Sequence, residues 1–378
     1  MSSLYLHIPF CERKCLYCDF YSVEGVARMD RFLSALHREI DLYSEYTGTF
    51  ETIFLGGGTP SLLTPEQLQK ILSHLRDRFQ FKPDAEVTLE TNPGTVDAKK
   101  LADFRASGVN RLSVGIQSFD EEELRFLSRI HTADEATRCI RDAREQGFGN
   151  ISIDLIYSLP GQDRTRWERT LTEALALRPD HVSAYSLIVE ENTPLWRLVA
   201  DGRVVPNSLE SEAELYEFTM DFMAAHGYEH YEVSNYAKPG FRCRHNHAYW
   251  SHENYLGFGP SAHSFWIGPS LHEGNRWANV ASVEAYCRML EEGHPPVEFR
   301  EVVARKELAN ERMFLGLRSD GVNFDRLVND LGMHLTRNQK ATVSHLVAEG
   351  LAILQNETLR LTPRGFLLCD EIAERMMI

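Results

Sequence analysis

His7-Ile8-Pro9-Phe10-Cys11-Glu12-Arg13-Lys14-Cys15-Leu16-Tyr17-Cys18-Asp19-Phe20 carries three cysteines at C-x3-C-x2-C spacing, directly behind a short apolar run from Leu4 to Ile8. Thiolates this close in the chain can turn toward one metal centre, and cysteine thiolates are what hold iron–sulfur clusters. A cubane cluster has four irons, so three local ligands leave one iron open to an outside molecule. The same distinction separates open catalytic zinc sites from closed structural ones. A structural zinc site would call for a fourth Cys or His close by and a second C-x2-C-like pair. Only one such pair is present, and His7 falls in the run that reads as a strand. A disulfide framework is disfavoured by the odd number of cysteines and the lack of an export signal.

Outward from this loop, β-rich runs alternate with helical patterns. Strands are expected at Leu4–Ile8, Thr52–Leu55, Glu86–Glu90, Arg111–Ile116, Ile151–Ile156 and His181–Leu187. Helices are expected near 28–46, 65–79, 96–107, 120–146 and 164–177. Strand, helix, strand at this rhythm implies parallel pairing with crossover helices. Six such units suit an α/β fold, either an open parallel sheet or an incomplete barrel. In such folds ligands gather at the carboxyl ends of strands. The cysteine loop follows the first strand, Gly56–Thr59 the second, Glu90 ends the third, Gln117 follows the fourth, and Asp154 lies on the fifth.

The cysteine spacing, with Tyr17 just before the last thiol, resembles the radical S-adenosylmethionine (SAM) superfamily. Tyr5-Leu6-His7-Ile8-Pro9-Phe10-Cys11 and Gly56-Gly57-Gly58-Thr59-Pro60-Ser61 are similar to the branch containing oxygen-independent coproporphyrinogen oxidase and the heme chaperone HemW. The resemblance implies a partial (β/α)6 barrel of radical SAM type. It also implies a [4Fe–4S] cluster on Cys11, Cys15 and Cys18, with the open iron chelating the methionine end of SAM.

Site residues follow from the same likeness. A glycine-rich turn lets backbone N–H groups approach a charged ligand, and the resemblance assigns Gly57, Gly58 and Thr59 to the amino group of SAM. A zwitterionic amino acid calls for a carboxylate against its ammonium and a guanidinium against its carboxylate. Glu90 and Arg129 match family positions of that kind. Gln117 offers both donor and acceptor. Asp154 is a carboxylate in an apolar strand that needs a partner, and the family places a ribose hydroxyl there. Tyr5 and Tyr17 match positions flanking the cluster. The chemistry implied is electron delivery to the cluster and cleavage of SAM to methionine and a 5′-deoxyadenosyl radical, with no side chain assigned as a catalytic acid or base.

Two features bear on which member of the branch is meant. The oxidase pattern has a fourth cysteine two residues after the third, where this chain has Phe20, which places porphyrinogen decarboxylation in doubt. His245-Asn246-His247-Ala248-Tyr249-Trp250 matches the H-N-x-x-Y-W element of the chaperone-like members. Histidine is a common axial ligand of heme iron and flat aromatics stack on macrocycles, so His245 is a candidate heme ligand, with His252 and His263 as alternatives. The expected function is heme binding and delivery to an acceptor such as a respiratory enzyme. Coproporphyrinogen oxidation or a related radical reaction is the alternative. Partners would then be heme, its acceptor (membrane-associated acceptors included) and an electron donor. Oligomeric state stays open, a homodimer being compatible.

The domain expectation is a barrel over 1–235, a connector over 236–300 lying across the barrel mouth, and a winged-helix-like unit over 301–378. The last rests on helices followed by a hairpin across Gln355–Glu357. Winged helices often bind DNA, but a net charge of −15 without a basic run argues against a nucleic-acid partner. No apolar run approaches the ~20 residues of a membrane span. The N-terminus lacks a secretory signal pattern, and the reading is a cytoplasmic protein.

Overall fold

The computed structural model describes residues 2–268 and 271–377. Six parallel strands form its centre: β1 Ser2–Ile8, β2 Thr49–Gly57, β3 Gln80–Thr91, β4 Arg111–Gln117, β5 Ile151–Tyr157 and β6 His181–Ser186, hydrogen-bonded in that order. The crossovers are helices α1 Met29–Leu42, α2 Pro65–Arg78, α3 Ala98–Ala106, α4 Glu121–Phe126, α5 Ala133–Glu145 and α6 Arg164–Ala176.

Period-2 alternation decides which way each strand faces. Leu4, Leu6 and Ile8, Ile53 and Leu55, Val87 and Leu89, Leu112, Val114 and Ile116, Ile151, Ile153 and Leu155, and Val182 and Ala184 are buried in the main apolar core. Polar residues at several of the intervening positions fall in register across the sheet. Glu90, Ser113, Ser152 and His181 form one lateral row, and Gly115, Asp154 and Ser183 the next. One face of the sheet is thus hydrocarbon and the other a polar interior.

Two expectations change. The stretch 120–146 is two helices, because Ser128 takes a left-handed φ of 60° and Thr132 starts α5 with a capping box to Glu135. The stretch 236–300 does not lie across the mouth. It lengthens the sheet at both ends. β7 Glu229–Glu232 and β8 Asn235–Ala237 extend it beyond β6, so position 235/236 falls inside a strand. On the other side β9 Asn254–Phe258 pairs parallel with β1, followed by β10 His263–Ile267, β11 Glu273–Asn279 and β12 Val297–Ala304 in antiparallel order. The result is an open twelve-stranded sheet rather than a closed cylinder.

Toward the C-terminus, helices Arg305–Leu317, Phe324–Leu331 and Arg337–Ala348 precede a hairpin, β13 Ala352–Gln355 and β14 Thr358–Leu361. Val322–Asn323 adds a short third strand to this wing. Helices and wing share the apolar core with the large sheet. Among the described residues no helix is long and apolar enough to cross a membrane.

Candidate functional site

The cysteine loop is closed at its base by a two-residue parallel ladder between Phe10–Cys11 and Val23–Glu24. Val23 N donates to Pro9 O at 2.8 Å and Gly25 N to Cys11 O at 2.9 Å. A turn within it, Cys18 N to Cys15 O at 3.2 Å, brings the second and third thiols round. Cys11, Cys15 and Cys18 all line one cavity of about 500 Å³ at the carboxyl ends of the strands. Burial, with Cys15 and Cys11 nearby, pushes the Cys18 thiol up to about 11. Among the described residues no three Cys, His, Asp or Glu side chains converge on a single ion. A cubane asks for something else, because each of its thiolates takes a different iron.

The same cavity is lined by Tyr17, Gly57, Gly58, Thr59, Glu90, Gln117, Arg129 and Asp154. Residues from six separate segments of sequence therefore meet at one place. The amide donors of the glycine turn are committed within the protein, which leaves its carbonyls as the groups that could accept from an ammonium. Gly57 N donates to Glu90 Oε2 at 3.2 Å, Gly58 N to Ile8 O at 2.9 Å and Thr59 N to Phe10 O at 2.7 Å. The turn thus clamps the cysteine loop and aims Glu90. Thr59 Oγ1 donates toward Cys11 Sγ at 3.6 Å.

Glu90 is half-buried in the cavity wall, and removal from water together with the charge of Asp154 pushes its carboxyl up to about 8. Asp154 is also raised by burial, while Ser183, Arg111, Ser113 and Ser152 oppose the shift. Ser113 Oγ donates to both its oxygens, at 3.1 and 3.0 Å. Gln117 ends β4 at a register shift, with a left-handed φ of 72°. Arg129 lies in the break between α4 and α5. Its Nη2 donates to Gly115 O at 2.5 Å and its Nη1 toward Cys15 Sγ at 3.5 Å.

These residues fit a zwitterionic ligand beside a cluster. Arg129 Nε is buried without a hydrogen-bond partner, a donor that an incoming carboxylate would satisfy, since such a group is costly to leave unmade. Glu90 and Asp154, two carboxylates sharing one cavity, would both gain from a cationic and hydroxyl-bearing ligand.

Two expected residues are not among those lining the cavity. Tyr5 packs behind Glu90, its hydroxyl 3.2 Å from His7 Nδ1 and its ring stacked on Phe54. His245 sits in the short helix Arg244–Trp250 and is 1% exposed. Its Nδ1 is 2.7 Å from Thr52 Oγ1, its Nε2 3.0 Å from the Tyr249 hydroxyl, and its ring stacks on Phe54. Burial and the Arg111 charge hold it down to about 3. With both nitrogens bonded inside the fold, it has none free for an iron as it stands. His252 is likewise buried, with Nε2 2.9 Å from Glu311, whereas His263 is exposed on β10.

Sequence reasoning passed over Ser113 and Tyr185, both of which line the cavity. It also missed Arg111, buried beside Asp154 with its Nε unpartnered. The signal for Ser113 and Tyr185 was present: each alternates with apolar neighbours on the strand face that carries Glu90 and Asp154.

The radical SAM superfamily model matches residues 5–174 and the HemN C-terminal domain model residues 303–368. The heme chaperone HemW of Bacillus subtilis is 39% identical over 98% of both chains. A Bos taurus mitochondrial protein named radical S-adenosyl methionine domain-containing protein 1 is 34% identical over 98% of this chain and 86% of its own. Among solved structures, the Escherichia coli coproporphyrinogen III oxidase HemN superposes with a TM-score of 0.84 at 24% identity, covering 100% of this chain and 90% of that one, and this likeness bears on fold alone. The α/β radical SAM architecture, the three-cysteine loop and the full-length likeness agree that the chain belongs to the HemW family of radical SAM proteins.

Proposed function

We propose that this protein binds heme and hands it to acceptor proteins, on a core that holds a [4Fe–4S] cluster through Cys11, Cys15 and Cys18 and SAM beside it. The observation that carries the reading is the end-to-end likeness to heme chaperones, together with the meeting of the three thiols, Glu90 and Arg129 in one cavity. When bound, the cluster supplies one-electron chemistry to the sulfonium of SAM. The protein's own part is orientation. Arg129 Nε would take the carboxylate and Glu90 the ammonium. Asp154 would take a ribose hydroxyl, with Gln117 beside it and Gly57, Gly58 and Thr59 holding the turn. Tyr17 closes the wall next to Cys15. The partners in this reading are heme, a heme-accepting protein that can itself be membrane-bound, and an electron donor for the cluster, all in the cytoplasm.

Phe20 supports delivery over porphyrinogen oxidation. It stands on the cavity rim, 69% exposed, where the oxidase pattern has its extra thiol. The test is titration of the anaerobically reconstituted chain with heme, which should saturate at about one heme per chain with a heme absorption band. An intact cluster with no heme band would refute delivery. Anaerobic conversion of coproporphyrinogen to protoporphyrinogen would replace it with the enzyme reading.

A further inference from the structure

Strand β4 ends irregularly. In its ladder with β5, Gly115 pairs with Asp154 and Gln117 with Leu155, so Ile116 is passed over as the extra residue of a bulge. On the other side β4 is paired to β3 only as far as Val114. Gln117 then takes its left-handed φ of 72°, which a glutamine keeps only where the surroundings hold it. Bulges beside active sites re-aim a side chain, and the one re-aimed here lines the cavity. A bulge also takes a carbonyl out of the ladder, and a buried carbonyl needs another donor.

That donor is His131. It is 3% exposed and lies in the break between α4 and α5, two residues beyond Arg129. Its Nε2 is 3.1 Å from Ile116 O. Burial and the Arg129 charge hold the ring down to about 4, so at neutral pH it carries one N–H. A carbonyl can only accept, which puts that proton on Nε2. Nδ1 meets the end of the Asn92 side chain at 3.1 Å, in the cavity wall beyond Glu90. One imidazole thus joins the ends of β3 and β4 to the segment that carries Arg129. Gly115 shows how close the assembly is: a Cβ there would stand 3.0 Å from Gln117 Nε2 and 3.5 Å from Arg129 Nη2. The amide and the guanidinium share the space over one glycine.

Resting on the SAM reading above, we propose that His131 is a positioning residue for the cofactor pocket, its Nε2–H holding the bulge at Ile116 in the form that turns Gln117 in beside Arg129. The two ring nitrogens do not matter equally. Asn92 is fixed without His131, because Ser61 Oγ accepts from its backbone N at 3.2 Å and Thr95 donates to its carbonyl from N at 3.0 Å and from Oγ1 at 2.8 Å. The bulge depends on the Nε2 contact.

The experiment is equilibrium dialysis of SAM against the full, cluster-loaded chain, with iron content and thermal midpoint as folding controls. Glutamine carries its amide nitrogen as many bonds from Cα as Nε2, and asparagine as many as Nδ1. His131→Gln should therefore still donate to Ile116 O and bind SAM within about threefold of the parent. His131→Asn should keep its iron but lose SAM affinity by about tenfold or more, as when a buried acceptor is left unpaired. A double-mutant cycle with Gln117→Ala supplies the second measurement. Since His131 acts through Gln117, the loss caused by His131→Asn should shrink to about twofold or less once Gln117 is gone. A histidine that merely supports the fold predicts otherwise: SAM affinity follows the thermal midpoint in the glutamine and asparagine variants alike, and the losses at 131 and 117 add. Either result, or SAM binding that His131→Asn leaves unmoved, would overturn the proposal. A parent that binds no SAM with its cluster intact would remove the cofactor reading itself, and the role of His131 with it.

Discussion

Arg129 Nη1 lies 3.5 Å from Cys15 Sγ while the Nη2 of the same guanidinium donates to Gly115 O at 2.5 Å. One side chain therefore ties the cysteine loop to the end of β4, and its remaining Nε is buried and unpartnered. A lysine offers one compact ammonium in place of this planar fork and cannot make the three contacts at once. Arg129→Lys should keep its cluster, since all three thiols remain, but lose SAM affinity by about tenfold or more, the value of one hydrogen bond to a charged group. Iron content and equilibrium dialysis with SAM check this. Undiminished SAM binding would exclude the carboxylate role.

Glu90 gives a pH dependence with a definite sign. Its carboxyl is pushed up to about 8, first by burial and then by Asp154. Below that value the ligand-free site is largely protonated there and presents no charge to an ammonium. SAM affinity should therefore rise as pH is raised through about 8. Folding shows the opposite trend. A carboxyl whose folded pKa is raised contributes stability that is complete below its unfolded value and lost as pH climbs through the folded one. Glu90→Gln should flatten that loss, so the ligand-free variant gains on the parent as pH rises from about 4.5 to about 8, while its SAM binding falls. Denaturation midpoints across this range decide it. Parallel pH curves for variant and parent would show that Glu90 is not the group.

His245 is placed to hold the base of the barrel. Thr52 on β2 and Tyr249 on the next helical turn each depend on one of its ring nitrogens. Glu86 on β3 accepts from the backbone N of Arg244 and of His245, at 3.2 Å each, so the strand that carries Glu90 also caps this helix. His245→Ala would strand two buried hydroxyls at about 1–3 kcal/mol apiece, and the thermal midpoint should drop by several degrees. The heme titration should keep its midpoint within about twofold, as expected for a residue without a free ligand atom. Loss of heme binding at unchanged stability would return His245 to the role of ligand.

Much of this was legible before the structure. The six central strands announce themselves through Leu, Ile and Val at alternate positions, and the cluster loop through cysteine spacing alone. What escaped detection depends on contacts distant in sequence. The pairing of Asn254–Phe258 with β1 joins segments some 250 residues apart through a parallel ladder that no local pattern encodes. The break at Ser128 was readable in principle, because Thr132-Ala133-Asp134-Glu135 is a capping box. It was masked by helical patterns running on both sides. That break is what frees Arg129 to reach the cavity. At the glycine turn, residue type tells that the backbone comes close, but not which atoms it comes close to.

Gly58 makes that last point testable. A Cβ at this position would stand 2.6 Å from Phe10 O and 2.9 Å from Ile8 O. Both are backbone atoms of the segment leading into Cys11, and that segment is held by Gly58 N and Thr59 N. Neither can yield without moving the first cluster ligand. Gly149→Ala adds the same methyl with nothing within 4 Å and no left-handed backbone, so it controls for the change itself. Gly58→Ala should reconstitute with markedly less iron than the parent and lose about 2 kcal/mol or more of stability, as overpacked sites do, while Gly149→Ala should match the parent in both. Equal iron content in the two variants would mean that the turn does not set the cysteine loop, and that the close approach at Gly58 is relieved by a shift the cluster tolerates.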